Sequence, residues 1–224
     1  MQLITKKDRQ TTMVRVRNIW AAAATVLVGA VACNSTPTPG LARGEAVFDA
    51  CSPCHGTDGA GNRQLGAPAI AGLPLWYIAS QLEKYQNGQR GANPFDTVGL
   101  KMKSMSRVLG KDGDLESVAQ YVASLAGVDA PGTLESGDVA AGRQEYGPCT
   151  ACHGANGEGN EALGAPPLQG QHDWYLMRQL QKFRSGWRGM ASGDIGGAMM
   201  RSNTLTMDDA TIENLVAFIR TLED

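Results

Sequence analysis

Apolar residues recur at helical spacing in four places along the chain, and nowhere do they alternate as strands require. Ile78, Leu82 and Tyr85 share one face of a helix expected over about residues 75–85, and Leu176, Leu180 and Phe183 do the same over about 173–183. Leu115, Val118, Val122 and Leu125 make the stripe of a later helix, with Ile212, Leu215, Val216, Ile219 and Leu222 as its counterpart. Gly88 and Gly186 stand just past the earlier pair, where helices commonly stop. Two short helices are expected over Gly44-Glu-Ala-Val-Phe48 and Gly142-Arg-Gln-Glu-Tyr146. Each puts a glycine and an aromatic four residues apart on one face, so that another helix can come close. The predicted fold class is all-α.

These elements come in pairs because the chain is written twice. Sliding it against itself by 98 residues places Cys51, Cys54, His55 and Gly56 on Cys149, Cys152, His153 and Gly154. Leu65-Gly-Ala-Pro68 falls on Leu163-Gly-Ala-Pro166, and Trp76-Tyr77, Gln81-Leu82 and Lys84 fall on Trp174-Tyr175, Gln179-Leu180 and Lys182. A period of that length is a small domain rather than a solenoid unit. Two tandem domains are expected, over 42–128 and 139–224, joined by a Pro/Gly/acid linker at 129–138 that crosses the surface. Tyr121 and Phe218 become equivalent if the first copy holds one extra residue between Met102 and Leu115.

The most specific chemistry lies at the start of each copy: Cys51-Ser-Pro-Cys54-His55 and Cys149-Thr-Ala-Cys152-His153. Two cysteines two residues apart, followed at once by histidine, are the attachment pattern of haem c. Each thiol adds to one vinyl group, and the histidine supplies a neutral nitrogen to the iron. A structural zinc site needs further ligands, and only one of the three histidines lies outside the motifs. A thioredoxin-like motif needs a βαβ context and a disulfide leaves the histidines unexplained. The expected cofactors are two covalently bound haem c groups on Cys51, Cys54, Cys149 and Cys152, with His55 and His153 as axial ligands.

The second axial ligand separates electron transfer from ligand chemistry. Met102, Met105, Met199 and Met200 compete for it. From His55 to Met102 is 47 residues, and from His153 to Met200 is again 47, whereas Met105 is matched by Asn203 and Met199 by Lys101. If the two haems share one ligand set, it is Met102 and Met200, in a loop just before the final helix. A thioether in that position raises the potential and closes the iron to small ligands, which suits a carrier better than a catalyst. Pro68 and Pro166 lack N–H groups, and their carbonyls are candidate acceptors for the histidine Nδ1–H. His172 is matched by Pro74, so no shared ligand role falls to it; it is expected at the surface or an interface.

Charge and the N-terminus add the cellular setting. Residues 1–32 hold five basic residues, one acid and an apolar run from Ile19 to Ala32, the form of a signal peptide and too short for a membrane span. Val31-Ala32-Cys33 followed by Asn-Ser-Thr-Pro-Thr-Pro-Gly resembles a bacterial lipobox and a tether over 33–41. Cys33 is the one cysteine outside the motifs and is the lipidation candidate; ordinary cleavage before it and an uncleaved anchor stay open. In each case the haem domains lie in the periplasm or at the outer face of the cytoplasmic membrane. From residue 33 onward the chain carries 15 basic and 21 acidic side chains, which excludes nucleic acid as a natural partner. Lys101, Lys103, Arg107 and Lys111 cluster near Met102, while residues 129–224 hold seven basic and thirteen acidic residues. The plainer reading is a solvated charged face; the sharper one is a positive collar on the first domain and an acidic second domain, each steering its own partner.

Taken together, the second motif, Gly170-Gln-His-Asp-Trp-Tyr175, Gln179-Leu180, Phe183-Arg184 and the later Met200 resemble the second domain of the dihaem cytochrome c4 family, and the first copy resembles its first domain. Leu73-Pro74 departs from that pattern. The resemblance implies two class I cytochrome c folds about a pseudo-twofold axis, haems approaching through their propionates, and ligands at Cys51, Cys54, His55, Met102, Cys149, Cys152, His153 and Met200. It further implies a non-enzymatic electron carrier in a respiratory chain, between a quinol-oxidising complex and a terminal oxidase. A cytochrome subunit of a flavin or quinoprotein dehydrogenase would have the same ligands. A dihaem peroxidase or thiosulfate-oxidising enzyme would need an open iron or a different sixth ligand.

Overall fold

The structure, a computed structural model, describes residues 40–222. The leader, most of the tether and Cys33 lie outside that range. The described chain is helical, and its extended pairing amounts to two isolated bridges, Asn62 with Ala67 and Asn160 with Ala165, again 98 residues apart.

The first half holds α1 (Leu41–Phe48), α2 (Ser52–His55), α3 (Leu75–Gln86), α4 (Thr97–Ser106) and α5 (Asp114–Ser124). The second repeats them as α6 (Val139–Glu145), α7 (Thr150–His153), α8 (Asp173–Arg184), α9 (Ile195–Thr204) and α10 (Asp209–Ile219). The stripes read from the sequence face the cores, with Leu115, Leu125 and Leu222 half-buried at their edges. Ile78, Leu82, Val118 and Val122 share a core with Phe48 and Leu109, and Leu176, Leu180, Ile212, Leu215, Val216 and Ile219 share one with Tyr146 and Phe218.

The crossing of the first and last helix of each half depends on a missing side chain. A Cβ on Gly44 would collide with the carbonyl oxygen of Ser117, and one on Gly142 with that of Asn214. The aromatics four residues on then meet the last helix: Phe48 lies 5.3 Å from Tyr121, and Tyr146 5.3 Å from Phe218, ring centre to ring centre. Tyr121 and Phe218 are therefore equivalent, and the one-residue insertion in the first copy is real.

Residues 125–138 form no helix, and most are exposed. This connection is nevertheless tied to the second half. The buried Asp173 carboxylate accepts from the backbone N–H groups of Thr133 and Leu134 and from the Thr133 hydroxyl. Burial pushes that carboxyl up, but these bonds and one from the Trp174 N–H outweigh it and hold it below the usual range.

One expectation needs correction. Met102 and Met200 stand in α4 and α9, not in a loop. The reason is a helix start that the hydrophobic pattern does not announce. Asp96 Oδ1 accepts from the Gly99 N–H at 2.8 Å, and Asp194 Oδ1 from the Gly197 N–H at 3.0 Å.

Candidate functional site

Each site starts on a helix of only four residues. In α2 the proline of the first motif occupies the first turn, where no N–H is needed, and in α7 the helix grows out of a 3₁₀ turn over Gly147–Cys149. The last residue of each short helix is the histidine, and both histidines are buried. His55 Nδ1 donates to the Pro68 carbonyl at 3.0 Å and His153 Nδ1 to the Pro166 carbonyl at 2.9 Å. That bond fixes the tautomer and leaves the Nε2 lone pair free. Burial lowers both imidazole pKa values despite the opposing effect of the carbonyl, so both rings are neutral near pH 7.

The carbonyls come within reach because glycine lets the chain fold tightly after the motif. Gly61 has φ +90°, and a Cβ there would lie 2.5 Å from the Pro68 carbonyl carbon; Gly159, at φ +82°, faces Pro166 and Pro167 in the same way. The Gly61 and Gly159 N–H groups donate back to the His55 and His153 carbonyls at 2.7 and 2.8 Å. The histidine is thus held at both its ring and its backbone.

Cys51, Cys54, His55, Pro68, Met102, Cys149, His153, Pro166 and Met200 line one continuous space of about 2300 Å³, counting its open mouths. Cys152 is half-buried and is not on the lining. The four competing methionines separate. Met102 and Met200 are half-buried and pack against the cores of their own halves. Met105 is 41 % and Met199 48 % exposed; Met105 also lines the space and Met199 does not.

This donor set fits haem c and fits zinc poorly. Burial, aided by Cys54, pushes the Cys51 thiol up to about 11, and burial likewise raises Cys149. A zinc site wants thiolates and four convergent ligands. Among the described residues no three His, Cys, Asp or Glu side chains converge as a metal site, and no cysteine forms a disulfide. A neutral histidine facing a large, mainly apolar space, with a thioether packed into the same wall, matches the axial requirements of haem iron.

The space is shared because the halves meet along it, and sequence reading missed the residues that join them. Arg90 donates to the Gln81 side chain at 2.9 Å, the Tyr175 hydroxyl at 2.8 Å and Gln179 at 3.0 Å. Arg188 donates to Gln179 and to Gln81, both at 2.9 Å. Lys182 pairs with Asp96 at 2.6 Å and Lys84 with Asp194 at 2.7 Å. Each of these aspartates caps a methionine-bearing helix of its own half while pairing with a lysine of the other. Phe95 stacks on Trp187 at 6.2 Å. The repeat held a signal, since Arg90 and Arg188, Asp96 and Asp194, and Lys84 and Lys182 all match at 98 residues. It does not say that partners come from opposite copies. His172, expected at the surface or an interface, reaches across this one.

Comparison with known proteins agrees with this construction. The family profile "Cytochrome c" matches residues 41–126 and again 139–223. Cytochrome c4 from Stutzerimonas stutzeri is 32 % identical, over 80 % of this chain and 87 % of that protein. The thiosulfate dehydrogenase electron acceptor of S. stutzeri strain A1501 is 32 % identical, over 68 % of this chain and 71 % of the relative. The cbb3-type cytochrome c oxidase subunit FixP of Bradyrhizobium sp. strain ORS 278 is 37 % identical over 57 % of this chain, and the match spans 44 % of that longer protein. The solved structure of reduced recombinant cytochrome c4 from Pseudomonas stutzeri superposes with a TM-score of 0.62 at 31 % identity, over 83 % of this chain and all of that one. A helical unit built twice, with its match to these proteins along most of its length, makes the chain a member of the cytochrome c family, of the cytochrome c4 kind: a dihaem electron carrier with two covalently bound haem c groups.

Proposed function

We propose that Cys51 and Cys54 hold one haem and Cys149 and Cys152 the other, with His55 and Met102, and His153 and Met200, as the axial pairs. When bound, haem iron supplies a one-electron couple; the protein supplies the ligands, the exclusion of water and the charge around it. His55 and His153 are oriented by Pro68 and Pro166. Met102 and Met200 are held in α4 and α9, whose starts are clamped by Asp96 and Asp194. Arg90, Arg188, Tyr77 and Tyr175 border the shared space where the halves meet, and would take the haem carboxylates there. The domains run over 42–128 and 139–224, with 129–138 between them.

The observation that carries this reading is the symmetry of the two sites: same motif, same carbonyl acceptor, and a half-buried methionine at the same distance along the chain. Two closed sites suit a two-centre wire that accepts an electron at one end and delivers it at the other. On that basis the chain works in the periplasm or on the outer face of the cytoplasmic membrane, led there by the 1–32 leader and held by an acylated Cys33. It carries electrons from a quinol-oxidising complex to a terminal oxidase, and the likeness to an oxidase subunit supports that acceptor. A second reading, a cytochrome subunit or acceptor for a periplasmic dehydrogenase, is favoured by the likeness to a thiosulfate dehydrogenase electron acceptor.

The test is reconstitution. The purified holoprotein is expected to restore quinol-driven oxygen uptake to washed membranes that hold both complexes and lack their soluble cytochromes. No restoration, with rapid reduction by a periplasmic dehydrogenase instead, overturns the first reading in favour of the second.

A further inference from the structure

The two halves are not braced alike. Leu73 and Pro74 of the first half correspond to Gln171 and His172 of the second. The first pair has no side-chain donor; the second has two, and both reach into the first half. Gln171 Nε2 donates to the Ala69 carbonyl at 2.9 Å, and His172 Nε2 donates to the Ala60 carbonyl at 2.8 Å. A carbonyl only accepts, so the His172 proton sits on Nε2. Both side chains are held in place. The His172 ring stacks on Trp174 with centres 5.3 Å apart, and the buried Gln171 accepts from the His172 N–H at 3.0 Å.

The two carbonyls adjoin the groups that hold His55. The Ala60 carbonyl shares its peptide unit with the Gly61 N–H, the donor to the His55 carbonyl. Ala69 directly follows Pro68, whose carbonyl takes the His55 Nδ1–H. In the second half Glu158 and Pro167 occupy the places of Ala60 and Ala69. The inner bonds to His153 are the same there, but among the described hydrogen bonds no side chain of the first half donates to either carbonyl.

We propose that Gln171 and His172 are positioning residues by which the second half sets the potential of the first haem and not of its own. The proposal rests on His55 being an axial ligand. An imidazole whose other N–H is firmly held by a carbonyl is the stronger donor to a metal, and a stronger donor favours the ferric state. Loosening the loop over 60–69 weakens that hold, so the first haem becomes easier to reduce.

The experiment is a redox titration of the full-length holoprotein and its Gln171→Leu and His172→Phe variants. The two haems are resolved by the shifted methyl resonance of each methionine ligand, assigned with Met102→Ala and Met200→Ala. Each brace variant is expected to raise the reduced-to-oxidised ratio of the first haem at a fixed applied potential about twofold to fivefold, the scale of one lost hydrogen bond near a ligand, and to leave the second haem unmoved. His172→Gln, which keeps a donor, is expected to restore the parental value. Phe95→Ala, which removes the stacking on Trp187 at the same interface, is expected to move neither haem. An unmoved first haem, or equal movement of both, overturns the proposal. A parent protein without a methionine-ligated first haem overturns the ligand assignment instead, and the proposal with it.

Discussion

At the scale of single residues, one absent methyl group decides how closely the helices of each half can pack. Gly142 lets α6 lie against α10 at a point where the Asn214 carbonyl fills the space a Cβ would take, and the Phe218 Cβ is only 2.9 Å from it. Gly142→Ala gains about 1 kcal/mol of helix propensity but forces the two helices apart, an overpacking cost of about 1–3 kcal/mol. The net expectation is lower stability, read as a fall in the urea midpoint at unchanged slope. Gly110→Ala, where the one neighbour within 4 Å is the Arg107 carbonyl oxygen at 3.8 Å, is the control expected to cost nothing. Much at this scale was legible in advance. The motifs named Cys51, Cys54, His55 and their copies outright, and the equal spacing to Met102 and Met200 singled out the two methionines that the structure half-buries. The repeat works here because a duplication filters four methionines down to the pair occupying the same place twice.

At the scale of elements, α3 and α8 fall within a residue of where their apolar stripes put them, because those stripes are long and face a packed core. The α4 and α9 segments read as loops for a physical reason. They carry Thr97–Ser106 and Ile195–Thr204, whose buried positions are only Gly99, Ser106, Gly197 and Thr204, so no buried apolar stripe marks either helix. Their legible signal was the capping aspartate, not a stripe. The linker makes the same point. Its composition says surface, yet Asp173 pins it to α8. Because that carboxyl is held below its usual range, its contribution to stability is complete above the unfolded carboxylate value of 3.8 and is lost as pH falls through the lower folded value. Asp173→Asn is expected to cost about 1–3 kcal/mol near neutral pH, from hydrogen bonds to a charged acceptor. The deficit shrinks in acid as the parent protonates too. Chemical denaturation of both proteins from pH 7 to 2 checks it; a deficit that stays constant across that range speaks against the carboxylate as the tether.

At the scale of the whole molecule, a set of shared polar groups joins the two halves, together with the Phe95–Trp187 stack. Arg90 and Arg188 share Gln81 and Gln179, and lysine–aspartate pairs tie each methionine helix to the other half. This level was the least legible, since a duplication reveals which positions are equivalent and says nothing of which ones touch. The same seam brings both sites onto one space, as a two-centre electron carrier requires. The central claim is that each iron is closed by one histidine nitrogen and one methionine sulfur. Its most direct measurement is a redox-titrated absorption spectrum of the purified protein with haem counted per chain. Two haems per chain are expected, with a methionine–iron band in the oxidised spectrum that falls by half in Met200→Ala and stays whole in Met199→Ala. A colourless protein, or a native one whose irons both bind carbon monoxide readily, contradicts it.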